Sequence, residues 1–321
     1  MDASRTRFAA LVAAAGLDLV GEPELMTSHS NDTWYVRSES AGEAVLRVCW
    51  IGDRQRMLRE AAVGRALPPE VGYPEVLASG ALTVEGEPIT WMISRRLTGT
   101  TLRAVWPALD ERQRDRALRD VARPLQALHA WRPPAGVAAR LGPPAPSVEP
   151  MVIVGSTILP LPLDRVRHLV TPAADRAGEH RAVVEESWAW LVGHADLLPR
   201  LDDPADVVTH GDLHLDNIWW DGDRVTGLLD LEWVRWGPAW TDLVPVRDNA
   251  LAGDELSDAH ARLLAALRSE LDHLEVPDLE RRLTAVEVAF QLRQLLVWPA
   301  PARVPATDHP IELLRRLVAT V

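Results

Sequence analysis

Residues 208–243 read VTHGDLHLDNIWWDGDRVTGLLDLEWVRWGPAWTDL, and their turn and strand signals leave the chain little freedom there. Val207, Val208 and Thr209 are β-branched and predict the end of a buried strand. Ile218, Trp219 and Trp220 predict a second strand, Asp221-Gly222 a tight turn, and residues 225–229 the returning strand of a hairpin. A loop carrying Asp212 and Asn217 must then lie between the first strand and the hairpin. Asp230 falls where the hairpin ends. Loop and hairpin end can face each other across one site.

The residue types at that site suit phosphoryl transfer. One aspartate takes the proton of an attacking hydroxyl, while an asparagine and a second aspartate hold metal against nucleotide phosphates. Magnesium prefers hard oxygen ligands and takes few of them from protein, so one carboxylate and one amide carbonyl meet its demand. His-x-Asp with an asparagine nearby also arises by chance in loops. The hairpin, Asp230 and the later Gly237-Pro238 and Asp242 make the pattern more specific.

The segment resembles the aminoglycoside phosphotransferase and choline kinase family, which has a protein-kinase-like fold. His210, Gly211, Asp212 and Asn217 match its catalytic loop, and Asp230 matches its metal aspartate. Gly237, Pro238, Asp242 and Leu243 match a following motif whose middle aspartate is missing here. Gly211 stands where protein kinases usually have arginine, which points to a small-molecule substrate. The resemblance implies a two-lobed α+β fold. A small N-terminal lobe with an antiparallel sheet would span residues 1–95, and a larger, mainly helical lobe residues 96–321. It also implies roles: Asp212 as base, His210 as brace of the loop, and Asn217 and Asp230 on magnesium. Glu232, two residues past Asp230, is a lesser metal-site candidate by position.

The N-terminal third fits that expectation. Residues 33–37 (TWYVR) and 44–49 (AVLRVC) read as neighbouring strands, followed by a helix over residues 53–67 that contains Arg59-Glu60. By the resemblance, Arg47 holds the α- and β-phosphates and Glu60 holds Arg47. The family usually has lysine at that place, and this chain has none: its 34 basic residues are all arginine. A guanidinium fork binds phosphate bidentately but is bulkier and differently hydrated than an ammonium. The plainer alternative is a surface ion pair of little energetic value. The loop Ser28-His29-Ser30-Asn31-Asp32 lacks the glycines of a protein-kinase phosphate loop, though Asn31 matches an asparagine frequent in the family. Residues 91–95 (WMISR) read as a buried strand, and the resemblance implies that backbone groups from Ser94 to Arg96 meet the adenine.

A net charge of −12 argues against a nucleic-acid partner, which favours a basic face. An acidic surface attracts cationic substrates, and it also simply keeps a protein soluble. The single cysteine, Cys49, sits in an apolar strand and reads as core. No run approaches the roughly 18 apolar residues of a membrane helix. Near the N-terminus, Phe8, Leu11, Val12 and Ala15 share one face of an amphipathic helix. A need for ATP favours the cytoplasm.

The rest reads as mainly helical. Asp110 is positioned to cap a helix running to about residue 131, with His129 near its end. Residues 132–162 hold many prolines and read as an irregular insertion. A helix over about 174–198 precedes the catalytic loop, and two or three more follow within 258–321. Trp233, Trp236 and Trp240 read as core before they read as pocket lining.

The expected activity is transfer of a phosphoryl group from ATP (or GTP), with Mg2+, to a hydroxyl of a small molecule. An antibiotic such as an aminoglycoside, macrolide or cyclic peptide is one acceptor class, with choline, homoserine or a sugar as others. Two rivals stand beside it. Gly211-Asp212-Leu213-His214 is compatible with a metal-dependent phosphoesterase, but the Asn-His dyad of that chemistry is absent. The missing lysine and glycine-poor loop are compatible with a nucleotide-binding protein without catalysis.

Overall fold

The computed structural model describes residues 3–26, 31–142, 162–200, 203, 205–297 and 309–319. Its smaller lobe is built on a five-stranded antiparallel sheet in the order β1-β2-β3-β5-β4. The strands are β1 (Glu24–Met26), β2 (Asp32–Ser38), β3 (Gly42–Cys49), β4 (Val76–Val84) and β5 (Glu87–Arg95). Side chains alternate across a strand, so β3 places Ala44, Leu46 and Val48 on one face and Val45, Arg47 and Cys49 on the other. The first face buries against helix α1 (Ala3–Ala15), where Phe8 and Leu11 meet Trp34, Val36 and Ile93. The second carries helix α2 (Gln55–Gly64), whose Met57 and Ala61 pack on Cys49 and Met92. Cys49 is therefore buried core, and Arg47 is aimed toward the helix that carries Glu60.

The chain leaves the sheet at Arg95 and reaches β6 (Thr100–Thr101) through Gly99. Gly99 has φ +110°, and a Cβ there would lie 2.2 Å from the Trp220 carbonyl oxygen, so this crossing admits only glycine. β6 then pairs with β8 (Ile218–Trp220), which pairs with β9 (Val225–Leu228). A separate two-stranded ladder joins β7 (Val207–Thr209) to β10 (Arg235–Gly237), with Thr209 opposite Arg235.

The larger part is helical: α3 (Leu102–Val105), α4 (Glu111–Asp120), α5 (Ala122–Ala130), α6 (Ala135–Ala138), α7 (Leu163–Ala177), α8 (Arg181–Gly193), α9 (Leu243–Leu251), α10 (Ser257–Glu270), α11 (Leu279–Val297) and α12 (Pro310–Ala319). α11 runs through the middle of this lobe, with Leu283, Val286, Ala289, Leu292 and Leu296 all buried. It is buried on nearly every side, polar Thr284, Glu287, Gln291 and Arg293 included, because other helices pack around it. Among the described residues no helix is long and apolar enough to cross a membrane.

Two helices differ from the sequence expectation. Asp110 does cap α4, in a capping box with Gln113, but the helix stops at Asp120 and restarts at Ala122. Pro124 lacks an N–H and its ring crowds the carbonyl four residues back, which accounts for the break. The helix expected over 174–198 is two helices, separated at Gly178, whose φ is +56°. The first begins at Leu163 and tolerates Pro172 inside it. Of the proline-rich stretch 132–162, α6 forms a short turn of helix, and residues 143–161 lie outside the described set.

Candidate active site

The strand, loop and hairpin of the opening motif form as their residues predict. β7 ends at Thr209, and the following loop runs from His210 to a short 3-10 turn, Leu215–Asn217, that opens into β8. The loop is held from below by Asp242, whose two carboxylate oxygens accept the backbone N–H of His210 (2.9 Å) and of Gly211 (2.7 Å). His129 also meets Asp242, at 2.8 Å, and its other ring nitrogen meets His273 at 2.9 Å. Burial works to raise the Asp242 carboxyl, but His129, His210 and the loop amide hold it below the usual carboxylate range.

His210 is fully buried and joins the loop to the hairpin. Its Nδ1 accepts from the Asp212 N–H at 3.3 Å, so Nε2 carries the proton and donates to the Leu229 carbonyl at 2.9 Å. Burial lowers the His210 pKa, consistent with this neutral form. Gly211 has φ +83°, and a Cβ there would sit 2.7 Å from the Trp233 carbonyl and 2.9 Å from an Arg235 guanidinium nitrogen. The buried Arg235 thus occupies the space a side chain at 211 would need. Its burial lowers its pKa to about 9.

Asp212 and Asn217 are locked together. The Asn217 side-chain amide nitrogen donates to the Asp212 backbone carbonyl at 2.8 Å, and Leu229 N–H donates to the Asn217 backbone carbonyl at 2.8 Å. The amide nitrogen is the end turned into the loop, which leaves the amide oxygen as the end turned from it. Burial alone would raise the Asp212 carboxyl, but His214, His210 and Arg235 bring it below the usual range. Asp212 is therefore ionised over the neutral pH range. His214 lies 3.6 Å from Asp212 and 3.4 Å from Asp216. Although burial opposes its charge, these two carboxylates push it up to about 10.

Across the cleft, Arg47 contacts three carboxylates. Its guanidinium lies 2.7 Å from Glu60, 2.5 Å from Asp230 and 3.3 Å from Glu232. The Arg47–Glu60 pair is not a surface pair: Glu60 is fully buried and Arg47 is 12% exposed. Burial opposes the charge on Arg47, yet Asp230, Glu60 and Glu232 hold its pKa well above the ordinary value. Asp230 is pushed above the usual carboxylate range by desolvation, with Arg47 pulling against this and Glu60 and Asp212 adding to it. Glu60 also accepts from Tyr73 OH (2.7 Å) and Leu231 N–H (3.0 Å). Oxygens of Glu60, Asp230 and Glu232 all lie within 4.8 Å of one another. Asp230 has φ +58°, a left-handed conformation that turns the chain sharply after the hairpin.

A cavity of about 440 Å³ opens between the sheet and these groups. Arg47, Ser94, Arg96, Asn217 and Asp230 line it, with apolar walls from Val45, Met92 and Leu229. That mixture of apolar walls and a few convergent polar groups is typical of small-molecule sites. Glu60 and Asn31 stand behind the lining. Asn31 donates to Glu232 at 2.8 Å and accepts from Arg56 at 3.1 Å. Ser28, His29 and Ser30 lie outside the described residues. Of the tryptophans, Trp240 is in the core, Trp236 donates to the Ala138 carbonyl at 3.2 Å, and Trp233 sits 5.8 Å from the Arg56 guanidinium.

The sequence profile of the phosphotransferase enzyme family matches residues 25–285. The chain belongs to the phosphotransferase enzyme family. No curated protein matches it by sequence. Its fold is shared with a thermostable mutant of aminoglycoside phosphotransferase APH(4)-Ia in ternary complex with ADP and hygromycin B. That likeness has a TM-score of 0.65 at 19% identity, covering 99% of this chain and 98% of the other. ADP-bound aminoglycoside phosphotransferase APH(2'')-Ib is similar with a TM-score of 0.57 at 16% identity, over 100% and 98% of the two chains. Macrolide 2'-phosphotransferase type I gives 0.55 at 18%, over 100% and 97%. The two-lobed, kinase-like architecture is therefore that of antibiotic phosphotransferases.

The sequence did not single out Arg56, Tyr73, Arg235 or His273. Arg56, Arg59 and Glu60 are spaced i, i+3, i+4 and so share one helix face, which is a legible sign that Glu60 has companions. Nothing local in the sequence ties Arg235 to Gly211; that contact depends on the β7–β10 register.

Proposed function

We propose that this phosphotransferase moves the γ-phosphoryl group of ATP, or GTP, to a hydroxyl of a small molecule in the cytoplasm. The observation that carries the reading is the convergence of Arg47, Asn217 and Asp230 on the floor of one cleft, with Asp212 fixed to Asn217. Arg47 supplies a permanent cation for phosphate oxygens, held in place by Glu60. Asp212 orients the acceptor hydroxyl and takes its proton. His210 and Asp242 fix the loop so that Asp212 does not drift.

Asn217 and Asp230 suit Mg2+. One offers an amide oxygen and the other a carboxylate that desolvation and neighbouring negative charge leave poorly compensated. The metal, when bound, neutralises charge on the nucleotide phosphates. ADP complexes and antibiotic complexes among the similar structures support a nucleotide donor and an antibiotic acceptor.

The deciding experiment is a screen of Mg2+-dependent ATP and GTP consumption against aminoglycosides, macrolides, cyclic peptides, choline, homoserine and sugars. Nucleotide consumption that requires one acceptor class supports the transferase. Tight nucleotide binding with no turnover against any acceptor would favour a non-catalytic binder. Phosphate release from monoesters without nucleotide would indicate the hydrolase.

A further inference from the structure

The segment that follows Asp230 is gripped by the smaller lobe from several directions. Glu232 is the centre of that grip. Its Oε2 accepts from Asn31 Nδ2 (2.8 Å), Arg56 Nε (3.1 Å) and Arg47 Nη2 (3.3 Å). The Glu232 backbone carbonyl accepts from Arg59 Nη2 at 3.1 Å. Arg56 closes the ring, donating to Asn31 Oδ1 at 3.1 Å and to the Ile51 carbonyl at 2.8 Å. Arg56 is fully buried, and Glu232 is 2% exposed. Asn31 directly precedes β2, whose Thr33 and Tyr35 line the cavity and whose Thr33 pairs with Arg47.

Resting on the phosphotransferase reading, we propose that Glu232 is a positioning residue and not a metal ligand. It is the post that fixes the start of β2 and the Arg47 fork over Asp230. Two guanidinium groups and an amide already neutralise this buried carboxylate, so a metal would have to compete with them for its charge. Magnesium demands close, near-octahedral contacts, and two guanidinium groups at that oxygen repel a divalent cation. Asp230, by contrast, is 33% exposed and faces the cavity. The two carboxylates sit two residues apart and divide the work: Asp230 serves the cleft, and Glu232 serves the joint between the lobes. Asn31 then acts on nucleotide through the strand it anchors, since both ends of its amide are engaged with Glu232 and Arg56.

The test compares wild type, Glu232→Gln, Asn31→Ala, the double variant and Asp230→Asn on the full chain. Calorimetric titration with ADP, with and without Mg2+, is one readout. Hydrogen exchange of the nucleotide-free protein is the other. A positioning post predicts that Glu232→Gln weakens metal-free ADP and Mg-ADP by the same factor, about 10-fold. Asn31→Ala should do the same, without multiplying the loss in the double variant. Asp230→Asn should weaken only the Mg-ADP form. Without nucleotide, amides of residues 32–36 and 230–234 should exchange faster in Glu232→Gln and Asn31→Ala, while α11 stays protected and so reports an intact fold. A loss confined to Mg-ADP would make Glu232 a metal ligand and overturn the proposal. So would unchanged exchange and unchanged affinity. If wild type binds no ADP at all, the phosphotransferase reading falls, and exchange alone decides whether Glu232 is the post. Should Glu232→Gln fail to fold, Asn31→Ala carries the same comparison.

Discussion

Arg47 Nη2 lies 2.5 Å from Asp230 Oδ1, so the cation of β3 directly touches the carboxylate at the end of the hairpin. The same guanidinium holds Glu60 through its other terminal nitrogen at 2.7 Å. A lysine ammonium would have to reach both partners from a single point, without the planar fork that spans them here. Arg47→Ala should remove at least 100-fold of the transfer rate and lower stability by about 3 kcal/mol, because buried carboxylates lose their counter-ion. Arg47→Lys should retain part of the rate. Glu60→Gln should show a milder defect, and the Arg47 and Glu60 losses should be non-additive in a double-mutant cycle. Independent multiplication of the two losses would separate the residues functionally.

Asp212→Asn should slow transfer by roughly 100-fold or more, the scale of a positioned acid–base group. Nucleotide affinity and melting temperature should stay near wild type, since the loop is anchored by His210 and Asp242 and not by the Asp212 carboxylate. Steady-state rates alongside ADP titration check this. Near-normal turnover would remove Asp212 from the chemistry.

Asp230→Ala should abolish transfer and weaken Mg-ATP binding, while metal-free nucleotide binding changes little. Arg47 keeps Glu60 and Glu232 as counter-ions, so the smaller lobe should remain folded. Titration of nucleotide at several Mg2+ concentrations is the measurement, and equal affinities in both proteins would contradict the assignment.

Glu287 of α11 gives a pH signature that is read in stability. Burial, against the pull of Arg247, raises it to about 7 from an ordinary value of 4.5. A carboxyl whose folded pKa is raised stabilises the fold fully below its unfolded pKa and loses that contribution as pH rises through the folded value. Wild type should therefore lose stability between about pH 5 and 8, by up to about 3 kcal/mol from this group. Glu287→Gln should flatten that part of the curve in thermal melts. An unchanged pH dependence in the variant would show that Glu287 does not titrate in this range.

The legible parts of the chain were those with short-range causes. Asp221-Gly222 between aromatic and β-branched runs predicts a hairpin by turn chemistry alone, and strands β2, β3 and β5 follow from composition. Asp110 with Gln113 forms its cap because both partners lie within one turn. The helix boundaries failed where a single residue overrode a good periodic pattern, at Pro124 and at Gly178. The network of Arg56, Asn31 and Glu232 was not legible, because its members are up to 201 residues apart and meet only when the two lobes pack. Arg235 beneath Gly211 is of the same kind.

The crossing at Gly99 bears on how this protein can be cut. β6 lies just past the crossing yet hydrogen-bonds to β8, so Thr100 and Thr101 belong to the helical half by their pairing. A split-protein reporter divided between Leu97 and Thr98 would separate two self-consistent fragments. The same reporter divided after Thr101 would strip the outer strand from the sheet that carries Asn217. Insertions and permuted termini placed a few residues apart along this short stretch should therefore behave very differently.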